Sequence, residues 1–570
     1  MSDGMEMMSN LHPFLPFLIA AILAAFTRGW LRSVIMLAAP VFGGYQVMQA
    51  VPGTLVYLQV LDLELTIYRV DELSLLFGYL FHLGAFICIL FALHLKDTLQ
   101  HVAGLLYAGS AIGAVFAGDL FTLFVFWELL GLTSAFLIWA SRDERSFHAG
   151  LRYLLFQVLS GVLLLGGALW IWFSTGDITF NEIGLDSGAS WLIFMAFGIK
   201  CGFPLLHNWI TDSYPTSTPT GTVFLCAFTT KAAIYAMARG FPGTEILIYI
   251  GVFMACYPIF FAVIENDLRK VLAYSMINQL GFMVVGIGIG SALALNGAVG
   301  HAFNDVLFKG LLFMSMGAVL YVTGRTKASD LGGLYRSMPI TTTLCIIGAL
   351  TISAFPLFSS FVSKSMVMSA LLEEGYWGVW MAMLFASAGV LEHAGIKIPY
   401  FAFFAHDAGI KAKEPPVNML LAMGIAAILC VAIGVYPTML YSILPYDAPY
   451  SPYDMTHVLT QMQLLAFAIL GVVFLHRSGR YPDEIPSVNL DAEWFYRRMF
   501  PAIFRGVKVV INVSLELLGD AMRITLGYIL DKLARHHGPN GILARTWPTG
   551  SMALWVMVLL GLYMILYYVK

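Results

Sequence analysis

The strongest constraint on this chain is where its charges fall. Glu128 lies within GDLFTLFVFWELLGLTSAFLIWA, Lys200 within WLIFMAFGIKCGFP, Lys231 within FLCAFTTKAAIYAMA and Lys309 within HAFNDVLFKGLLFMSMGAV. Lys364 follows the helix-breaking stretch ISAFPLFSSFVSK. A charge at the bilayer centre costs about 2.5–3.5 kcal/mol on insertion scales, so it is kept where it meets other polar groups or water. Several such charges in one chain imply a buried polar track along which ions move.

The surrounding sequence makes the setting a membrane. Of the 570 residues, 59% are hydrophobic and 11% charged, against about a quarter charged in a soluble domain. Apolar runs of about 18–25 residues, enough to cross a hydrocarbon core of ~30 Å, recur from end to end. They predict an all-α polytopic membrane protein; a β-barrel would show alternating strands of about ten residues. Spans are read at 11–26, 30–50, 73–95, 101–117, 119–140, 151–174, 190–207, 219–239, 246–264, 272–290, 297–321, 341–372, 379–404, 417–440, 456–476 and 550–570. The 190–207 span, with Gly198, Gly202 and Pro204, and the 341–372 stretch, with Pro356 and a serine-rich turn, are expected to be broken helices. Breaks at membrane depth survive only where protein or a polar cavity satisfies the freed backbone. A lysine accompanies each break, which suggests an inverted repeat with polar sites near the midplane.

Alternate loops differ in charge. One set holds Arg28, Arg32, Lys96, Arg142, Arg145, Arg152, Arg269, Lys270, Arg325, Lys327, Arg336, Lys411 and Lys413; the other holds Arg69 and Arg239. This asymmetry predicts that the first set is cytoplasmic and that both termini lie outside. The acidic start MSDGMEMMSN lacks the positive region of a cleaved signal, so the first helix is expected to be retained. The long polar insertion, 477–545, opens with HRSGRYPDEIPSVNLDAEWFYRR and is expected on the cytoplasmic side. Within it, 500–535 is predicted to be an interfacial helix.

Some functions are excluded. With no basic domain, no zinc-finger spacing and no phosphate loop, a nucleic-acid partner is not expected; the net charge of −3 says nothing either way. The six cysteines are scattered along apolar helices and form no C-x-x-C, so neither a metal nor an iron–sulfur cofactor is expected. The methionines and aromatic residues read as packing and interfacial-belt residues.

Glu128 and Lys200 both sit near the middle of their spans and can form an ion pair. Opening it leaves an ammonium in a low dielectric, where it tends to give up its proton; closing it favours the charged form. The competing reading is a static bridge that fixes helix packing. Lys231, one span on, is a candidate proton relay, or a lysine that snorkels to the interface. His301, Asp305 and Lys309 follow at i, i+4 and i+8, one helix face suited to proton transfer, unless Asp305 and Lys309 merely neutralise each other. Lys364 would end the track and exchange with water at its helix break. Glu392, His393 and Lys397 are further candidates near an exit, or structural groups. His207 and Asp212, in LLHNWITDSYPTSTPTG, belong to an entrance, a coupling element or a capped loop.

Four segments resemble one family. GDLFTLFVFWELLGLTSAFLI resembles the fifth-span motif of the antiporter-like subunits of respiratory complex I and of Mrp-type multisubunit cation/proton antiporters. IKCGFPLLHNWITDSYPTSTPTG is similar to their K-x-x-x-x-P-L-H-x-W-x-x-D-A-x-x-x-A-P-T element, LRKVLAYSMINQLGFM to R-x-L-A-Y-S-S-I-x-Q-x-G-F, and FPLFSSFVSK to P-P-x-x-G-F-x-x-K. They occur in family order over residues 70–370, and the length with NLDAEWFYRR most resembles the D-type subunit of Mrp antiporters. The resemblance implies a core of about fourteen helices, two inverted five-helix repeats and a central hydrophilic axis. It implies N-terminal helices over 1–100, a first repeat over 101–240 and a second over 241–405. C-terminal spans over 406–476, the cytoplasmic stretch 477–545 and a terminal span over 546–570 would follow. It also implies roles: Glu128 and Lys200 as the essential pair, Lys231 as relay, Lys364 as terminal lysine, and His301 and Lys309 on the H-x-x-x-H-x-x-x-K helix. Asp305 replaces that motif's second histidine and Ser360 replaces a glycine in the broken helix.

The expected function is a proton-translocating subunit of a Na+ or K+/proton antiporter, working in the plasma membrane with other membrane subunits and without redox or hydrolytic chemistry of its own. A proton-pumping subunit of a redox complex, of the complex I or membrane-bound hydrogenase type, would carry the same motifs. A non-conducting membrane scaffold is the third reading, and it gains little from intramembrane charges.

Overall fold

The computed structural model describes residues 11–61, 63–481, 484–485 and 489–569. The acidic start and the reading drawn from it lie outside the described residues. The chain divides into one unit ending at Asp491 and a second over Ala492–Lys570.

The first unit begins with α1 (Leu15–Phe26), α2 (Gly29–Gln49) and a hairpin of β1 (Leu55–Val60) and β2 (Leu63–Arg69). It continues with α3 (Glu72–Ala92), α4 (Thr98–Phe116), α5 (Leu120–Trp139), α6 (Glu144–Thr175), α7 (Gly188–Cys201), α8 (Asn208–Ser213), α9 (Pro219–Ala227) and α10 (Thr229–Gly240). Next come α11 (Ile246–Ile264), α12 (Leu268–Ile289), α13 (Ala292–Thr323), α14 (Pro339–Ile352) and α15 (Ser359–Glu373). The unit closes with α16 (Trp377–Val390, extended by wide irregular turns to Phe404), α17 (Val417–Val435), α18 (Thr438–Tyr441) and α19 (Met455–Arg477). In the second unit, α20 (Phe500–His537) and α21 (Thr549–Tyr568) have no buried residue.

Among the described residues, thirteen helices are long and apolar enough to cross a membrane, and Leu15–Phe26, Gly188–Cys201 and Pro339–Ile352 are shorter apolar helices. These segments coincide with the spans read from the sequence, so the protein is an all-α polytopic membrane protein. The hairpin was not anticipated. Its strands are short, antiparallel and pair Leu58 with Leu65, and their alternation is masked by the apolar background. It packs at Gly118, where a Cβ would run into the Thr66 side chain. Asp71 lies 2.6 Å from Arg239 and 3.3 Å from Arg69, so the two arginines on the charge-poor face share one carboxylate. Burial pushes the Asp71 carboxyl up, but the adjacent guanidinium groups hold it below the ordinary carboxylate range.

The same local devices occur twice. Asp119 caps α5 through the Thr122 N–H and pairs as an isolated bridge with Thr179. Asp267 caps α12 and pairs with Lys327. Each is followed by two helices and then by a broken one. The first break, Gly202-Phe203-Pro204-Leu205, has left-handed backbone at Gly202 (φ 79°) and Leu205 (φ 68°). The second, Ala354-Phe355-Pro356-Leu357, has it at Ala354 (φ 57°) and Leu357 (φ 74°). Asp119 lies on the hairpin face, because the Gly118 N–H donates to the Thr66 carbonyl. The chain reaches Asp267 after one further crossing from Arg239, which marks that face. The two stretches are therefore inverted copies.

Left-handed backbone costs an L-residue about 1–2 kcal/mol, and glycine escapes it. Ala354→Gly should therefore raise the thermal midpoint of the purified protein. Gly202→Val should lower it, because a Cβ there also meets Ile210 Cδ1 at 2.9 Å. Melting curves of both variants check this; two unchanged midpoints would contradict it.

Candidate functional site

Lys200, Lys231, His301, Asp305 and Lys309 are 0% exposed and Lys364 is 4% exposed. They are enclosed by protein rather than turned to the outer surface. The helices that carry or face them, α9–α10 and α12, are among the most enclosed in the fold.

Lys200 is one residue from the end of α7. Gly202 ends the helix in left-handed backbone, and Phe203 N–H returns to the Gly198 carbonyl at 3.0 Å. The Lys200 ammonium donates to the Trp127 carbonyl at 2.5 Å and lies 4.5 Å from the Trp127 ring centroid. Glu128 is half-buried, and its Oε1 is buried without a hydrogen-bond partner. That oxygen occupies a notch left by Gly161, in the space that a Cβ on this residue would fill. The expected Glu128–Lys200 ion pair is thus not closed in this structure. The lysine is bound through the backbone of the residue before the glutamate.

Lys231 follows a second kind of break. The helix read as one span over 219–239 is interrupted at Phe228 between α9 and α10. The Cys226 carbonyl beside this break accepts from Lys231 Nζ at 3.0 Å. The same ammonium approaches Asp305 Oδ2 at 2.6 Å, with both side chains fully enclosed. The approach is that of an ion pair, without hydrogen-bond alignment at the carboxylate. Asp305 therefore reaches across to α10 rather than along its own helix. Lys309 instead donates to Ser275 Oγ on α12 at 2.8 Å, so local neutralisation of Asp305 by Lys309 is not what the structure shows.

The three residues on α13 fan out. Each four-residue step advances about 40° around a helix, so i, i+4 and i+8 face different neighbours. His301 Nδ1 lies 3.0 Å from Ser363 Oγ on α15, and its Nε2 lies 3.0 Å from Gln279 Oε1 on α12. Asn304 donates to the same Ser363 hydroxyl at 3.0 Å. Next to Ser363 in sequence, Lys364 donates to the Ile352 carbonyl at 3.2 Å, a group freed where α14 ends. Its ammonium stands 4.6 Å from the Phe282 ring centroid. The structure thus links Lys231 to Asp305 directly, and His301 to the segment that carries Lys364.

Trp127, Ser275, Gln279, Asn304 and Ser363 were missed as site residues. Ser275 and Gln279 stand out as polar groups within LAYSMINQLGFM. The Trp127 contact is made by backbone, which no side-chain pattern reports. The remaining candidates make the following contacts. Lys397 gathers the Ala262, Val263 and Glu265 carbonyls at the end of α11 and pairs with Glu484 at 2.9 Å. Glu392 accepts from Tyr481 at 2.6 Å, and His393 is fully buried in the irregular turns after α16. His207 contacts Asp491 at 3.2 Å and Asp212 pairs with Arg152 at 2.6 Å. These contacts brace loops on the face opposite the hairpin.

An enclosed set of ammonium groups held by carbonyls, hydroxyls and one carboxylate suits the passage of protons. A model of the family described as NADH:quinone oxidoreductase/Mrp antiporter, TM, matches residues 117–389. The N-type subunit of the NADH-quinone oxidoreductase of Desulforudis audaxviator is 30% identical over 390 residues, covering 60% of this chain and 76% of that protein. The A-type subunit of the Na(+)/H(+) antiporter of Alkalihalophilus pseudofirmus is 29% identical over 499 residues, covering 76% of this chain and 62% of that protein. The D-type subunit from the same organism is 29% identical over 316 residues, covering 52% of this chain and 64% of that protein. A chain in the structure of the Mrp complex from Dietzia sp. DQ12-45-1b superposes with a TM-score of 0.76 at 24% identity, covering 92% of this chain and 63% of that one. The chain spans 62%, 48% and 58% of three A-type subunits that it matches. The chain belongs to the NADH:quinone oxidoreductase/Mrp antiporter transmembrane family.

Breaking a buried ion pair by removing one partner costs about 3–5 kcal/mol, whereas replacing both with apolar groups is often neutral. Asp305→Leu should therefore destabilise the protein strongly, and Lys231→Met with Asp305→Leu should recover most of the loss. Thermal unfolding of the two single variants and the double variant checks this; equal and additive losses would contradict the pairing.

Proposed function

We propose that the chain is the proton-translocating subunit, of the D type, in a multisubunit antiporter that exchanges protons for Na+ or K+. Glu128, Lys200, Lys231, Asp305, His301, Lys309 and Lys364 are its proton-carrying groups. The observation that carries this reading is the enclosed Lys231–Asp305 contact, which joins the two inverted repeats between one lysine beneath each break. The D-type assignment rests on the resemblance of NLDAEWFYRR. Partners would be other membrane subunits, with protons and a monovalent cation as cargo, in the plasma membrane. Charge asymmetry between alternate loops supports placing both termini outside. The partition at 100, 240, 405, 476 and 545 is retained as the working division into N-terminal helices, two repeats, C-terminal spans, cytoplasmic stretch and terminal span.

Protonation and the Glu128–Lys200 contact are coupled in this reading. With the pair open, as here, Lys200 is held by the Trp127 carbonyl, a neutral ligand that compensates an ammonium less than a carboxylate does. Closing the pair would draw a proton onto Lys200, and reopening it would pass that proton on. The second reading, a proton-pumping subunit of a redox complex, is favoured by the 30% identity to a NADH-quinone oxidoreductase subunit. Co-purifying iron–sulfur and flavin proteins would select it; small membrane subunits alone would select the antiporter.

Antiport in everted vesicles carrying the assembled complex tests the reading. Lys200→Ala and Glu128→Ala should each reduce exchange to background. Gly161→Ala should do so in large part, because its Cβ occupies the position of the Glu128 carboxylate. Full exchange in Lys200→Ala or Glu128→Ala removes these residues from the path.

A further inference from the structure

A cavity of about 120 Å³ lies beside the terminal lysine, lined by Lys364, Ser365, Ser369, His457, Thr460 and Gln461 among others. That volume has room for several waters, at ~30 Å³ each. Its far wall is the first turns of α19, a helix beyond the two inverted repeats. His457 stands there between the cavity and the surface. Its Nε2 lies 2.8 Å from Ser369 Oγ and 3.4 Å from Tyr450 Oη, and Ser369 Oγ lies 3.0 Å from that same phenol. Its Nδ1 lies 2.7 Å from Asp454 Oδ2. Asp454 is half exposed, and its side chain also caps α19 by accepting from the His457 N–H. That bond holds the Asp454 carboxyl below the ordinary carboxylate range. The loop that precedes Asp454 belongs to the hairpin face, since Asn296 and Tyr446 bond at 2.7 and 3.1 Å beside the pocket that Asp71 and Arg239 line.

We propose that Asp454, His457 and Ser369 form the port through which the Lys364 end of the track exchanges protons with the aqueous phase on the hairpin face. The carboxylate at Nδ1 fixes the tautomer and aims Nε2 at the cavity. In the neutral ring Nε2 accepts from Ser369. It takes a proton delivered from Lys364 through Ser369 and cavity water, and the imidazolium formed is stabilised by Asp454. The ring then gives one proton to surface water. One proton enters and one leaves; only N–H and O–H bonds are made and broken. The other groups facing His457 are the Tyr450 phenol from the preceding loop and Lys364 across the cavity. α16 contributes Trp380 and Ser387 to the lining but no titratable group. This inference rests on the proton-carrying reading of Lys364.

The test uses the same vesicles and assembled complex. His457→Gln keeps a polar group toward Ser369 but cannot titrate; His457→Ala removes the ring. Both should slow maximal exchange about tenfold, below the usual ~10²–10⁴-fold of general acid–base catalysis because water can partly substitute, with the half-saturating cation concentration unchanged. Imidazole added at the hairpin face should restore His457→Ala. Full rate in His457→Gln, or slowing in His457→Ala that imidazole does not relieve, overturns the port. Lys364→Ala run alongside separates the two ideas. If it abolishes exchange while the His457 variants run at full rate, the port alone fails; if it too exchanges fully, the proton-carrying reading of Lys364 fails.

Discussion

The rest of this structure depends on holding ammonium groups away from bulk water. Taking an ion of that size into a protein interior costs several kcal/mol even after relaxation, and the chain does it at Lys200, Lys231, Lys309 and Lys364. Backbone carbonyls supply much of the compensation. A helix that stops at membrane depth leaves carbonyls without their usual N–H partners, and lysines take them: Lys231 the Cys226 carbonyl, Lys364 the Ile352 carbonyl. The broken helices and the buried charges are one device, each making the other tolerable.

The ligands are unequal, and that inequality divides the buried lysines into a centre and two flanks. Lys231 alone among these four lysines has a carboxylate within ion-pair distance, from Asp305. Lys200, Lys309 and Lys364 have neutral partners. A carboxylate favours the charged lysine more strongly than a carbonyl or hydroxyl does. Lys231 is therefore held by a carboxylate, and the lysines on either side of it by neutral groups. Asp305 occupies the position where the resembling family has a histidine, so this chain places a carboxylate there, and His301 turns to Ser363 and Gln279 instead.

Much of this was legible from sequence because membrane spans write long, uniform signals. Span positions, both expected breaks and the charged residues all follow from hydropathy, proline and glycine. What was hidden depends on contacts across helices. The i, i+4, i+8 spacing of His301, Asp305 and Lys309 places them near one another but does not say which neighbour each meets. The Trp127 carbonyl carries no side-chain signature, and neither does the interruption at Phe228, where no proline or glycine stands. The hairpin at Leu55–Arg69 was lost among apolar residues. Lys397 reads from sequence equally as a track residue or a structural group, and its contacts with the carbonyls at the end of α11 are invisible there because they cross between helices.

Proton passage through this chain depends on water joining the enclosed charges. A map of the assembled complex that shows ordered solvent decides it most directly. Waters bridging Lys200 to Lys231, Lys309 to His301, and Lys364 to Ser369 are the predicted result. Tightly packed apolar side chains filling those intervals, with no solvent between the lysines, would contradict it.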